Sequence, residues 1–459
     1  MLTSGIGTDA AGSSAVSFQL QQVTFNSIRK VLPDQVIERA CRDVKYSYRR
    51  RTLTPIITML HMILAAVWPE ESFQASWQVI WDSAVGAFPG LKGKSLSSGS
   101  LAKARARLPM ALWARVWAFL SVRVQELSEP LACWRGHRVI LADGTCVSMP
   151  ATPGLFEHFG TSTGRGGQRH YPLARMVTLA LAHTMSVLAY AVGRYDQSEQ
   201  ALLEPLLGQL RPGDLLVADR HFAGANLYAR YAAAGLHFLT RVHQRLKVSR
   251  LRPLAGYAAN DFVTDLPISQ THRRKDPTLP KTVRIRLIQA TLRIRGRRTV
   301  TWFVSSLLDG TQYPAGEVVN LYGRRWRIET LFLQMKVRMS ADVLRSKTAQ
   351  SVLKELAARL SAINVVRAIM LEAAATHGQD PMTLSFVHAL RAILAFAPAL
   401  ATAPVWKLQI IYAAMLFEIA ACRVPQRHGR LEPRAIRREK KHYPRLRSTR
   451  AEWKRRLAA

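Results

Sequence analysis

Between residues 137 and 235 the chain changes hydropathy period in a fixed order, and that order limits the folds open to it. HRVILADGTCVSM, PLARMVTLALAHT and SVLAYAVGRY are short runs rich in Val, Leu, Ile and Thr, separated by turn residues. Each reads as a strand. SEQALLEPLLGQL then reads as a helix closed by the turn RPGD, DLLVADRHF as a fourth strand, and AGANLYARYAAAG as the next helix. Three strands, a helix, a strand and a helix predict an α/β sheet.

The flanks have other textures. Residues from about 17 to 130 look helical, with apolar positions three and four apart in TPIITMLHMILAAVW and a Ser-rich start before the basic run in SLSSGSLAKARARLPMALWARVWAFL. The Arg and Lys of that run suit DNA contact or a solvated charged face equally. From about 238 to 310 the pattern is β again and strongly basic, with apolar and cationic residues alternating in KTVRIRLIQATLRIRGRRTVTWFVSSLL, so one face is expected to pack and the other to be positive. After Pro314 the chain reads as mostly helical to about 422, ahead of a tail too charged and proline-interrupted to hold a core. The expected segments are a helical DNA-binding domain at 1–130, a core in two parts at 131–237 and 314–400, a β-rich insertion at 238–313, and a C-terminal helix with basic tail at 401–459.

Charge points to the partner. Lys and Arg outnumber Asp and Glu by 65 to 30 over 459 residues, a formal net charge of +35. That excess makes a polyanion the expected partner, nucleic acid first. A membrane is not expected: the longest apolar runs are short for a bilayer, which needs about 20 residues, and the positive charge is spread along the whole chain rather than along one helix face. Cys41, Cys133, Cys146 and Cys422 have no metal or disulfide spacing and fit a reducing compartment. The first residues carry no basic start followed by an apolar run, so a secretory leader is not supported.

Candidate chemistry lies in three carboxylates. Asp143 follows an apolar run in VILADGT, with a glycine next to it that would permit a tight exit from the strand; Asp219 follows LLVA in the same way. For either alone a cap or turn is the better reading, and the shared context, an apolar strand followed by Ala-Asp, is what favours a functional pair; Asp214, in the turn PGD, reads as structural. The third is Glu329 in NLYGRRWRIETLFLQMK. On an ideal helix Tyr322 and Lys336, seven positions to either side, lie about 20° from its direction and Arg325 about 40°. The bland reading of Arg325 and Glu329 is a surface ion pair. Three converging carboxylates would repel unless divalent cations neutralised them, and hard oxygen ligands select Mg²⁺ or Mn²⁺. Two such ions roughly 4 Å apart are the equipment of phosphodiester chemistry.

The run Y-x-x-R-x-x-x-E-x-x-x-x-x-x-K from Tyr322 to Lys336, joined to LADGT and LLVADR in order, resembles bacterial insertion-sequence transposases of the IS-four type. SLAKARARLP, YPLARMVTL, SEQALLEPLLGQLRPGDLLVADRHF and VLRSKTAQSVLKEL extend the likeness over most of the chain. The resemblance implies a ribonuclease-H-like α/β core with a β-rich insertion, a helical N-terminal domain and a helical, basic C-terminal region. It implies that Asp143, Asp219 and Glu329 are catalytic ligands of two Mg²⁺ or Mn²⁺ ions, and that Tyr322, Arg325 and Lys336 hold transposon-end DNA. Trp302 occupies a place comparable to a base-stacking tryptophan of some members; packing within the insertion's sheet is the other reading. One departure is His221, where the family commonly has glycine after Asp-Arg. The implied activity is Mg-dependent cleavage at transposon ends and transfer of the 3′-hydroxyl strand into target DNA, by a homodimer holding two ends, in the bacterial cytoplasm at the nucleoid. A DNA-binding remnant without turnover and a generic metal-dependent nuclease of the same fold are the alternatives.

Overall fold

The computed structural model describes residues 26–49, 52–67, 77, 97–131, 133–163, 169–243, 246–248, 251–294, 297–424 and 455–456. The expectations for the N-terminal leader region and for nearly all of the basic tail lie outside these residues. Contacts divide the chain into a main unit, Met1–Ala290 with Val300–Val424, and a small one, Thr291–Thr299 with Pro425–Ala459.

The N-terminal part is helical as expected: α1 Asn26–Val31, α2 Asp34–Asp43, α3 Pro55–Val67, α4 Ser98–Arg107 and α5 Met110–Ser128. α3 is apolar on every side and correspondingly buried almost throughout. Ser97 caps α4 by accepting the Ser100 N–H at 3.2 Å, and Pro109 separates α4 from α5 because it cannot continue a helix. In α4, Lys103 and Arg107 are exposed while Arg105 is half-buried, its Nη2 donating to Ser346 Oγ at 3.5 Å.

The central sheet begins with β1 Cys133–Trp134, β2 His137–Ser148, then α6 Pro153–Phe159, β3 Thr161–Thr163, β4 Arg169–Leu181, β5 Val187–Arg194, α7 Glu199–Leu203, β6 Leu215–Ala218, α8 Ala225–Ala233 and β7 His237–Arg241. In space the middle of the sheet runs β5-β4-β2-β6-β7, with the first two junctions antiparallel and the last two parallel. The helix expected over SEQALLEPLLGQL is α-helical only as far as Leu203 and continues as a 3₁₀ turn from Glu204 to Gln209. Pro205 is the cause: it supplies no N–H and crowds the preceding turn.

The sheet does not stop at β7. It continues through β11 Arg297–Ser305, β10 Thr282–Ile294, β9 Asp261–Pro267 and β8 Ala255–Ala258. A short helix that the alternation did not announce, α9 Gln270–Lys275, lies between β9 and β10. The alternation in β10 also breaks at one residue. Val283, Ile285 and Leu287 are buried and Arg284 is exposed, yet Arg286 is fully buried. Its Nε and Nη2 donate to Asp261 at 2.7 and 2.5 Å and its Nη1 to the Tyr313 carbonyl at 2.6 Å.

The C-terminal part is helical: α10 Ala315–Gly323, α11 Trp326–Leu333, a π turn at Gln334–Arg338, α12 Ala349–Thr376, α13 Phe386–Thr402 and α14 Val405–Ala421. α12 is buried along nearly its whole length, and Asn364 on it bonds both the N–H and the carbonyl of Val187 at 2.8 Å, satisfying the outer edge of β5. α14 leaves Trp406, Ile410 and Phe417 exposed. All four cysteines are free. Among the described residues, no helix is long and apolar enough to cross a membrane.

Candidate active site

Strand register brings the two aspartates together. Ala142 on β2 pairs with Ala218 on β6, and Ala218 pairs with Thr240 on β7. The next residue along each strand is therefore Asp143, Asp219 and Arg241, a row across neighbouring strands spaced about 4.8 Å apart. Asp219 leaves its strand as the sequence suggests, and its carboxylate caps the following turn by accepting the His221 N–H at 2.8 Å. Asp143 does not end a strand. β2 runs on through Gly144 to Ser148, with Asp143 paired to Thr178 of β4.

Gly144 is correspondingly not a turn residue. A β-carbon built on it would fall 2.3 Å from the Glu199 Cδ and Oε1, so the carboxylate of Glu199, at the start of α7, fills that space on the face of β2 opposite the Asp143 side chain. No motif in the sequence marks Glu199. Ser198 announces the helix start, but only the fold brings that start over β2.

Arg325 joins β2 to the signature helix. Its Nη1 donates to Asp143 Oδ2 at 3.2 Å and its Nη2 to Glu329 Oε1 at 3.1 Å. The guanidinium lies 6.0 Å from the Tyr322 ring centre and 5.0 Å from that of Trp326. Tyr322 and Arg325 are buried, at 4% and 8% exposure, whereas the Glu329 side chain is 47% exposed. Tyr322 packs against Phe303 of β11, ring centres 4.8 Å apart. Asp214, as the sequence suggests, is structural: it forms a buried two-pronged pair with Arg138 at 2.8 and 2.6 Å.

The ideal helix face does not survive intact. Between Leu321 and Ile328 the backbone closes by i to i+3 bonds, Arg324 N to Leu321 O, Arg325 N to Tyr322 O and Ile328 N to Arg325 O, and beyond Leu333 it widens into the π turn that carries Lys336. A 3₁₀ turn winds more per residue than an α-helix and a π turn less, so the four residues reach their places by a tight and then a wide turn. Lys336 is half-exposed. Trp302, on β11, is half-buried and edge-on to Phe262 at 5.9 Å, packed against the core of the sheet. The His221 side chain is exposed; its backbone N–H donates to the capping Asp219 carboxylate and its carbonyl accepts from Gln200 Nε2 at 2.6 Å.

The electrostatics follow from this crowding. Burial pushes the Asp143 carboxyl up to about 6, opposed by the Gly144 N–H and Arg325 and reinforced by the charges of Asp219 and Glu199. Glu199 is likewise raised, by burial first and by Asp219 as well, against Arg175 and His221. Burial raises the Tyr322 hydroxyl to about 12 although Arg325 and Arg241 pull the other way. Among the described residues no three His, Cys, Asp or Glu side chains converge closely enough to form a ready metal cage. Asp143 and Glu329 meet through the Arg325 cation instead.

Comparison with known proteins agrees in kind. The family described as "Transposase DDE domain" matches residues 134–365, a stretch holding Asp143, Asp219, Trp302, Tyr322, Arg325, Glu329 and Lys336. The chain is 26% identical over 352 residues to the transposase InsG for insertion sequence element IS4 of Escherichia coli (strain K12), covering 76% of this chain and 78% of that one. A chain of the piggyBac transposase synaptic complex with hairpin DNA, solved by cryo-EM, aligns at 12% identity over 88% of this chain and 85% of its own, with a TM-score of 0.40, too low to define a common fold. With the family match spanning half of its length, this chain belongs to the DDE-domain transposases.

Proposed function

We propose that the protein cleaves DNA at the ends of its element and joins the freed 3′-hydroxyl strand to target DNA, through Asp143, Asp219 and Glu329 on a ribonuclease-H-like core. The observation that carries this reading is the meeting of three distant segments: the Ala142–Ala218 register sets Asp143 beside Asp219, and Arg325 ties Asp143 to Glu329. The strand order, three antiparallel strands followed by two parallel ones, supports the core assignment.

The donor set fits hard divalent cations, Mg²⁺ or Mn²⁺, two in number, because all the groups are carboxylates. When bound, such ions activate an attacking water or 3′-hydroxyl and stabilise the leaving oxygen. The remaining work falls to the chain. Arg325 pairs with both Asp143 and Glu329, and its forked guanidinium would suit a DNA phosphate held beside them. Tyr322 braces Arg325 from beneath, and Lys336 on the half-exposed π turn holds the backbone of the DNA. Trp302 would stack on a base only after leaving its packing against Phe262. Holding two ends requires at least two copies of the chain, and the expected setting is the cytoplasm, at the nucleoid.

The test is product analysis with the DNA that flanks the gene, carrying terminal inverted repeats, in Mg²⁺ together with target DNA. Joined strand-transfer products are expected. Cuts without joining would identify a nuclease instead, and end binding without cuts a remnant.

A further inference from the structure

We propose that His183, in the turn between β4 and β5, is a positioning residue for this centre: its ring accepts a hydrogen bond from Arg324 and fixes the start of the signature helix, so that Arg325 and Glu329 meet Asp143. The inference rests on the three-carboxylate reading and adds a residue that lies outside every motif of the sequence.

The first support is that one hairpin holds both halves of the site. β4 pairs with β2 so that Thr178 stands opposite Asp143, and three residues further on the strand ends at Leu181. The Ala182 N–H then donates to the Val139 carbonyl at 3.0 Å, which keeps the turn against β2. On its other side the turn receives the signature helix: Arg327 Nη1 donates to the Ala182 carbonyl at 2.9 Å and Arg324 Nη1 to His183 Nε2. Between these two arginines in the chain is Arg325, which reaches Asp143 and Glu329 instead. The placement of Arg325 relative to Asp143 is therefore set through the hairpin.

The second is that the turn is a firm support and the helix start is not. Backbone bonds from Leu181 N–H to Ser186 at 2.9 Å and from Met185 N–H to Leu181 at 2.8 Å close the turn, and Ser128 Oγ of α5 donates to Thr184 Oγ1 at 3.1 Å. Arg324 and Arg325 lie where the backbone tightens into i to i+3 bonds, whose geometry is poorer than that of an α-helix. Side-chain ties at that point decide where the next residues aim.

The third is the chemistry of the contact. A guanidinium only donates, so His183 Nε2 presents its lone pair and the ring proton sits on Nδ1, which is buried without a partner among the described residues. The ring is thus seated for its Nε2 contact. Burial and the charges of Arg324 and Arg327 bring His183 down to about 4, against the pull of Asp380, so the accepting form prevails at neutral pH.

The experiment measures cleavage of element-end DNA in Mg²⁺ by the full chain, as the rate at saturating protein and the protein concentration giving half that rate. Wild type, His183→Ala, His183→Gln, Arg324→Ala, the His183→Ala/Arg324→Ala double variant and Glu329→Gln are compared, with circular dichroism to establish folding. His183→Ala is expected to slow cleavage about tenfold or more at unchanged half-saturation, because a small misplacement of a reacting geometry costs rate rather than binding. His183→Gln should recover most of the rate, since its Oε1 can accept where Nε2 did. Arg324→Ala should lose as much as His183→Ala and the double variant no more, as expected of two residues acting through one contact. A wild-type rate in His183→Ala, or in Arg324→Ala should His183→Ala fail to fold, would overturn the inference while loss in Glu329→Gln leaves the three-carboxylate reading standing. Equal losses in His183→Ala and His183→Gln would likewise overturn the accepting role. No cleavage by wild type, or cleavage retained by Glu329→Gln, would overturn the three-carboxylate reading and this inference with it.

Discussion

Asp143 sits in an electrostatic conflict. It is largely buried, bonded to the Gly144 N–H at 2.8 Å and to Arg325 at 3.2 Å, and still held up near 6. Because that value lies above the ordinary 3.8, the folded protein keeps this proton more tightly than the unfolded chain. Its effect on stability is therefore most favourable below about pH 4, declines as the pH rises to about 6 and remains reduced above, by at most about 3 kcal/mol. In chelator, urea melts of Asp143→Asn are expected to lack this decline; an unchanged slope would mean the burden lies elsewhere. Removing Arg325 takes away the only cation bonded to both carboxylates among the described residues. Arg325→Ala is expected to lose about 1–3 kcal/mol at pH 7, with Arg325→Lys recovering little because an ammonium cannot fork across two partners. Melting at neutral pH without added metal checks both. At this scale the sequence was informative where a residue's neighbours in the chain are also its neighbours in space: Asp219 after LLVA and Glu329 four residues from Arg325. Glu199 escaped because its relation to Gly144 exists only after the sheet and α7 have packed.

At the scale of elements, period and punctuation identified most strands and helices, since burial of one face leaves a mark every two or about 3.6 residues. What escaped were departures from ideal geometry. Pro205 shortens α7, and the signature helix tightens at Arg324 and widens at Gln334. β10 is the instructive case, for its arginines look alike in sequence and have opposite fates. Arg286 is fully buried against Asp261, while Arg284 meets Asp265 at 3.0 Å on the surface. Asp261→Ala leaves a buried cation without its partner and is expected to destabilise by about 3–5 kcal/mol. Arg284→Ala should leave the protein near wild type, because exposed pairs are screened by water. Chemical denaturation of the two variants side by side tests this, and equal losses would contradict the assignment of Arg286 as a structural tie.

For the whole molecule, the net charge of +35 and the family to which the chain belongs point to the same partner. If about six phosphates are neutralised, affinity for end DNA is expected to fall roughly a thousandfold between 50 and 200 mM salt. A titration showing weak salt dependence would argue against a basic groove. We infer that Asp143, Asp219 and Glu329 form one metal-dependent centre. Cleavage of element-end DNA in Mg²⁺ by wild type and by Asp143→Asn, Asp219→Asn and Glu329→Gln, with DNA binding measured on the same samples, tests it most directly. Each variant is expected to lose cleavage while binding the ends about as well as wild type; cleavage retained by any one of the three would contradict the assignment of that residue and with it the single centre.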